Sequence, residues 1–181
     1  MQLGVLLDVR AADVDETVKP GESPADYVRR MAFTKAEAGF RAAADCGGEQ
    51  PAVLGADTSV VLEERIFGKP ADEAEAAQML DLLSGKVHQV LSAVVVTDGR
   101  YTGEALSMTD VRFRYLQADE IAAYWRSGEP CDKAGAYGIQ GFGAVFVEEI
   151  RGSYTGVVGL PLFETAQLLS ECGVRYGVGR P

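Results

Sequence analysis

Val53-Leu54-Gly55-Ala56-Asp57-Thr58-Ser59-Val60-Val61-Leu62 is the stretch on which the fold turns. Its β-branched residues read as a strand reaching Glu63, and Glu64-Arg65 turns the chain back into Ile66-Phe67 as a short hairpin that ends at Lys69-Pro70. Two longer strands, Val87 to Thr97 and Tyr101 to Leu116, meet at the hairpin dipeptide Asp98-Gly99. Between the hairpins Asp72 caps a helix whose Ala76, Ala77, Leu80 and Leu83 share one face, with Gly85 after its end. Upstream, Gly4 to Arg10 reads as a strand and Ala11 to Glu22 as a polar connection. Ser23 as N-cap and Pro24 at the first position then predict a helix to about Ala44, stopped by Cys46-Gly47-Gly48. Towards the C-terminus, Asp119 to Ser127 predicts a short helix closed by Gly128. Ala144 to Ile150 predicts a strand, with Tyr154 to Val158 as its partner across the Arg151-Gly152-Ser153 turn, and Pro161 opens a last helix ending at Gly173. Strands and helices alternate while hairpins interrupt the βαβ rhythm, so the class is α/β with a mixed, twisted sheet flanked by helices.

The 181 residues carry no repeat and no linker-like stretch, which predicts a single domain over residues 1–181. Apolar residues make up 47% and charged residues 24%, enough to bury a core and to exclude wholesale disorder. Apolar runs such as Ala93 to Val96 fall far short of the roughly 18 residues that span a membrane, and no targeting segment follows Met1. A cytoplasmic protein is expected. Cys46, Cys131 and Cys172 are odd in number and widely spaced, against both a disulfide framework and a zinc cluster. Seventeen basic against 27 acidic residues leave a net charge of −10, which opposes a grip on nucleic acid. A small polyanion is still admissible where a few lysines and a divalent cation converge in a cleft.

Three features do not suit a bland fold. Asp57 puts a carboxylate inside a strand that should be buried, which is expensive unless the strand end opens into a cleft or the side chain caps a local turn. Lys35 stands on the helical face marked by Tyr27, Met31, Ala38 and Ala42. A lysine there commonly covers a core edge with its methylenes while its amine reaches water. Gly135, Gly138, Gly141 and Gly143 surround Gln140 in a run that matches neither phosphate-loop nor dinucleotide fingerprints. Those glycines could turn amides toward a ligand, with Gln140 offering a donor and an acceptor to a base edge, or could simply form a turn that feeds a strand. Lys69 alone is an ordinary loop lysine, and His88, mid-strand with no triad or metal partners, reads as structural or peripheral.

Taken together the chain resembles the Maf-like nucleotide pyrophosphatases, once known as septum-formation inhibitors. The resemblance rests on Val14-Asp15-Glu16, the helix from Glu22-Ser23-Pro24 to Lys35-Ala36, Leu54-Gly55-Ala56-Asp57-Thr58 and Gly68-Lys69-Pro70. It continues through Leu83-Ser84-Gly85, Ser127-Gly128-Glu129-Pro130, the run from Lys133 to Gly141, and Val158-Gly159-Leu160-Pro161. It implies two lobes around a cleft and hydrolysis of nucleoside triphosphates to monophosphate and pyrophosphate with Mg²⁺ or Mn²⁺. By the same resemblance Asp57 would be the proton acceptor and would also touch the metal, Glu16 would support metal or water, and Lys35 and Lys69 would bind phosphates. Thr58 and Gln140 would govern base selectivity, in the branch that takes dTTP, UTP and modified uridine nucleotides. A homodimer is plausible on the same ground. Lysine on an apolar face and aspartate in a strand then become two walls of one cleft, which overturns the bland reading of Lys35.

The resemblance also implies an opening strand and a Ser-x-Ser-Pro-Arg-Arg loop that holds the triphosphate, whereas Met1-Gln2-Leu3-Gly4 aligns beyond it. The expectation is a start assigned at an internal methionine, with hydrolysis by the chain as given lowered on the order of 10³-fold or more, by analogy with loss of a catalytic arginine. Two other readings compete: a non-catalytic nucleotide-binding or cell-division interaction protein, and a 7-methyl-GTP pyrophosphatase.

Overall fold

From Val90 to Val96 the chain is apolar at every position but Ser92, the pattern of a strand covered on both faces. The computed structural model, which describes residues 3–44 and 51–177, places this run in the middle of a sheet. The elements are α1 (Pro24–Ala44), β1 (Val53–Leu62), β2 (Arg65–Phe67), α2 (Glu73–Leu83), β3 (Val87–Thr97), β4 (Thr102–Phe113), α3 (Ala118–Arg126), β5 (Val147–Arg151), α4 (Tyr154–Val158) and α5 (Leu162–Glu171). The sheet order is β2-β1-β3-β4-β5.

Alternate residues of β3 face opposite ways and meet different layers. Leu91, Ala93 and Val95, with Val61 of β1, pack against Val28, Ala32 and Ala36 of α1. Val94 and Val96 pack against Leu168 and Leu169 of α5. Val90 and Val60 join a larger cluster under α2 and α3 that includes Phe67, Leu80, Leu83, Phe113, Tyr124 and Phe146. One face thus belongs to α1, and the other is shared by α5 and the α2–α3 layer. The expected α/β class, a sheet flanked by helices, is what is observed.

Local signals held where a cap or hairpin dipeptide set them. The Asp26 amide donates to Ser23 Oγ at 3.1 Å and the Glu75 amide to Asp72 Oδ1 at 2.9 Å, so both helices start where expected. The predicted stop at Cys46-Gly47-Gly48 lies outside the described residues.

Three expectations need correction. The sheet is not mixed: every neighbouring pair is antiparallel. The crossover through α2 returns the chain in the direction of β2 but lands it on the far side of β1, so no two parallel strands become neighbours. Tyr154 to Val158 is helical rather than a strand, because Ser153 Oγ accepts from the Gly156 amide at 3.0 Å and caps a short turn of helix; β5 pairs with β4 instead. Gly4 to Arg10 forms no strand; Leu6 is 100% exposed and Val9 85%, with no sheet face to cover them.

Candidate active site

Gly55 lets α1 cross β1 closely enough to bring the site together. A Cβ there would stand 2.8 Å from Ala36 Cα and closer still to the Ala32 carbonyl oxygen and the Ala36 amide nitrogen. At this crossing Lys35 extends beside α1 and its Nζ donates to Asp57 Oδ1 at 2.6 Å. The same ammonium lies 2.9 Å from Glu16 Oε1. Asp57 caps no turn: it sits mid-strand, opposite Ala93 of β3, with its side chain only 11% exposed. Lys35 does not merely reach for water either. Two of the three features that the sequence left ambiguous therefore resolve into one contact.

Two carboxylates share one ammonium, and the protonation equilibria follow from that excess of negative charge. Burial pushes the Asp57 carboxyl up, and the nearby Glu16 charge adds to it, against the downward pull of Lys35 and, from further away, Lys69. Burial alone would lower Lys35, but its bonds to Asp57 and Glu16 outweigh that and hold the ammonium above its ordinary value. A carboxylate whose proton affinity is raised suits a general base.

The segment carrying Glu16 is itself held down. Arg30 of α1 grips Glu22 with two nitrogens, at 2.5 and 2.8 Å, and donates to the Thr17 carbonyl at 3.0 Å. That grip, with the Lys19 amide, brings the Glu22 carboxyl down to about 2. Tyr27 Oη donates to the Glu16 carbonyl at 3.0 Å. Neither Arg30 nor Tyr27 was singled out by sequence reasoning as acting on the site. The only available signal was the position of Tyr27, about two turns before Lys35 on the marked face of α1; Arg30, about 140° around the helix from Lys35, offered none.

Thr58 follows Asp57 and so points to the opposite face of β1. Its hydroxyl lies 2.8 Å from Ser92 Oγ and 3.3 Å from the Gly159 carbonyl, and Ser92 donates to the Gly156 carbonyl at 2.6 Å. The structure therefore brings Thr58 to the α4 segment rather than to Lys35. Lys69, exposed after β2, acts electrostatically on both Asp57 and Asp132. Its loop is tied to the glycine run by the Gly135 amide, which donates to the Gly68 carbonyl at 3.0 Å.

Inside the glycine run the amides do turn toward an anion, but the anion is the protein's own. Glu129 Oε2 accepts from the Phe142 amide at 2.7 Å, and Oε1 accepts from the Gly143 amide at 3.0 Å and from Tyr124 Oη at 2.7 Å. Burial opposes the Glu129 charge, yet these three donors keep its carboxyl below the ordinary value. Gln140 is left exposed at the tip. In the sequence Glu129 stands out only as part of Ser127-Gly128-Glu129-Pro130, because nothing in a local pattern shows that its amide partners lie thirteen and fourteen residues on. His88 is buried and so is not peripheral; its Nε2 lies 2.9 Å from Tyr137 Oη, and its ring meets those of Phe113 and Tyr137 edge to face.

Comparison with known proteins gives the family. A family model described as Maf-like protein matches residues 1–172. The dTTP/UTP pyrophosphatase of Aromatoleum aromaticum is 58% identical over 162 residues, covering 90% of this chain and 79% of that protein. The dTTP/UTP pyrophosphatase of Pseudoalteromonas atlantica is 49% identical over 175 residues, covering 97% of this chain and 91% of its own length. That of a Shewanella species, strain MR-7, is 57% identical over 166 residues, covering 91% and 84%. With a matching family model over nearly its full length and relatives this similar, the chain belongs to the Maf-like protein family.

Proposed function

We propose that the chain is a nucleoside triphosphate pyrophosphatase that hydrolyses dTTP and UTP to the monophosphate and pyrophosphate. The observation that carries this reading is the Lys35 ammonium held between Asp57 and Glu16 where α1 crosses β1. The names of the relatives point to the same substrates.

In this reading Asp57 takes the proton from a water that adds to the α-phosphorus as the bond to pyrophosphate breaks. Lys35 and Lys69 neutralise phosphate oxygens, and Lys35 also pulls the Asp57 carboxyl down against the burial that pushes it up. The donor set fits a hard divalent cation: Asp57 and Glu16 offer carboxylate oxygens side by side. No group of three or more His, Cys, Asp or Glu converges among the described residues. Mg²⁺ or Mn²⁺ is commonly held by one or two carboxylates, completed by waters and substrate phosphates. When bound, such an ion supplies charge neutralisation at the phosphates. Thr58, by way of α4, and Gln140, on the exposed tip, are assigned to the base.

The same proposal includes a cytoplasmic enzyme and a homodimer. No helix among the described residues is long and apolar enough to cross a membrane. Among the described strands the outer edges of β2 and β5 have no partner, which is where a second copy could add; a monomer mass in sedimentation would refute the dimer.

The test is pyrophosphate release from dTTP and UTP with Mg²⁺ or Mn²⁺, alongside Asp57→Asn. Release by the wild type that falls by about 10² to 10⁴ in the variant is expected for loss of a general base. Release undiminished by the substitution would refute the reading.

A further inference from the structure

We infer that Glu129 is a positioning residue for base recognition: its carboxylate folds the loop that delivers Gln140, so selectivity for thymine and uracil depends on a group that does not touch the nucleotide. The inference rests on the reading above, in which Gln140 meets the base.

Three backbone amides on the two sides of Gln140 hang from one carboxylate and one phenol. Those of Phe142 and Gly143, after it, donate to Glu129 at 2.7 and 3.0 Å. That of Gly138, before it, donates at 3.0 Å to Tyr124 Oη, which itself donates to Glu129 at 2.7 Å. The loop is built around these two side chains at the expense of its own. A Cβ on Gly141 would overlap the Glu129 carboxylate, and one on Gly143 would stand 2.7 Å from Tyr124 Oη. Ile139 is buried at 9% exposure while Gln140 is exposed, so the tip has one inward anchor and one outward side chain.

This matters for selectivity because a glutamine amide is ambivalent. Its oxygen and nitrogen can pair with the N3–H and O4 of uracil or thymine, or, turned over, with the N3 and amino group of cytosine. A loop held in one position presents that amide to the base from one direction and beside fixed neighbours, whereas a loose loop can bring either orientation of the amide to either base. Bonds to an ionised acceptor are roughly twice as strong as neutral ones, and here they fix the residues just beyond the glutamine. Glu129→Gln keeps the volume but replaces one acceptor oxygen by a donor, so at least one amide or hydroxyl then faces another donor.

The experiment measures equilibrium binding of dTTP and of dCTP by titration calorimetry in the Asp57→Asn chain, which removes the proton acceptor and limits turnover. Glu129→Gln should cut the dTTP:dCTP affinity ratio about tenfold, and Gln140→Ala should do the same. The double substitution should reduce it no further than either one, which loosened packing alone would not produce. Tyr124→Phe, which removes one hydroxyl and leaves the Phe142 and Gly143 bonds in place, should cut the ratio about threefold and guards against a Glu129 variant that fails to fold. An unchanged ratio in a folded Glu129→Gln, reductions that multiply in the double variant, or equal binding of dTTP and dCTP before any change at Glu129 would each overturn the inference. Pyrophosphate release undiminished by Asp57→Asn would instead refute the pyrophosphatase reading, and the binding ratios would still decide the role of Glu129.

Discussion

Gly55→Ala is the smallest change that should dismantle the site without touching any of its functional groups. In an unconstrained strand the substitution would help, by about 0.5–1 kcal/mol, because glycine loses more backbone freedom on folding. Here the new Cβ would stand 2.8 Å from Ala36 Cα, and nearer to the Ala32 oxygen and the Ala36 nitrogen, where ordinary contact begins at 3.4 Å. Both obstacles are helix backbone, which cannot rotate away as a side chain would, so α1 must lift from β1 by about 1 Å. Overpacking of this kind costs about 1–3 kcal/mol and outweighs the entropic gain. At roughly 2–4 °C per kcal/mol for a chain of this size, the melting temperature should drop by several degrees. The same displacement takes Lys35 Nζ, now 2.6 Å from Asp57 Oδ1, out of hydrogen-bond range, and misplacement by about 1 Å costs on the order of 10² in rate. Calorimetric melting and pyrophosphate release from dTTP measure the two effects. Gly68→Ala is the control, since a Cβ there meets nothing within 4 Å. A Gly55→Ala protein that melts with the wild type and turns over at its rate would show that the close crossing of α1 does not set the Lys35–Asp57 pair.

The protonation states give two further tests. Asp57 must be ionised to accept a proton and its carboxyl is pushed up, so kcat/KM should rise with pH along an acid limb lying above the ordinary aspartate range of about 3.9. Glu16→Gln removes a charge that raises Asp57 and should move that limb down, whereas Lys35→Met removes a charge that lowers it and should move the limb up; shifts of the same sign would contradict the shared-ammonium geometry. Burial lowers His88 to about 4, so below pH 6.5 the unfolded chain binds a proton that the folded one refuses. Stability from this residue is complete above about pH 6.5 and gone by about pH 4, roughly 3 kcal/mol in all, of which about 2 is lost between pH 7 and 5. Urea unfolding at the two pH values should show that loss in wild type and a smaller one in His88→Gln; equal losses would place the titrating group elsewhere.

What could be read in the sequence followed from how locally each signal is decided. Ser23 and Asp72 cap helices through amides three residues ahead, and the Asp98-Gly99 turn is equally self-contained, so these elements were legible. Asp57 was conspicuous because a carboxylate in a valine-rich strand needs a reason. Lys35 was ambiguous because its partner lies 22 residues on, outside any helical periodicity. Val157 and Val158 suggest a strand, but Ser153 caps a helix there and Ser92 of β3 donates to the Gly156 carbonyl, which ties that helix to the sheet. The antiparallel order was illegible because it depends on which side of β1 the chain lands after α2, a packing choice that no window of residues records. The role of Glu129 was hidden for the same reason: its partners belong to a segment that reaches it only after the chain has folded around Tyr124.

The strand that reveals the site also has to keep two neighbouring residues apart. Asp57 and Thr58 are adjacent in sequence and serve opposite faces of the sheet, the first against Lys35 of α1 and the second against Ser92 and the Gly159 carbonyl beside α4. A slip of β1 by a single residue would exchange them, turning a carboxylate into the α4 side and a hydroxyl toward the lysine. Pairing from Val53 to Val61 along β3 resists that slip, and so does Gly55, because any other residue brought into its place would drive a Cβ into the backbone of α1. The glycine thus acts as a register pin as well as a gap. Fold and chemistry are fixed by one feature: the place where β1 lacks a side chain lets α1 approach, sets which residue faces it, and two positions later puts the carboxylate beside the lysine.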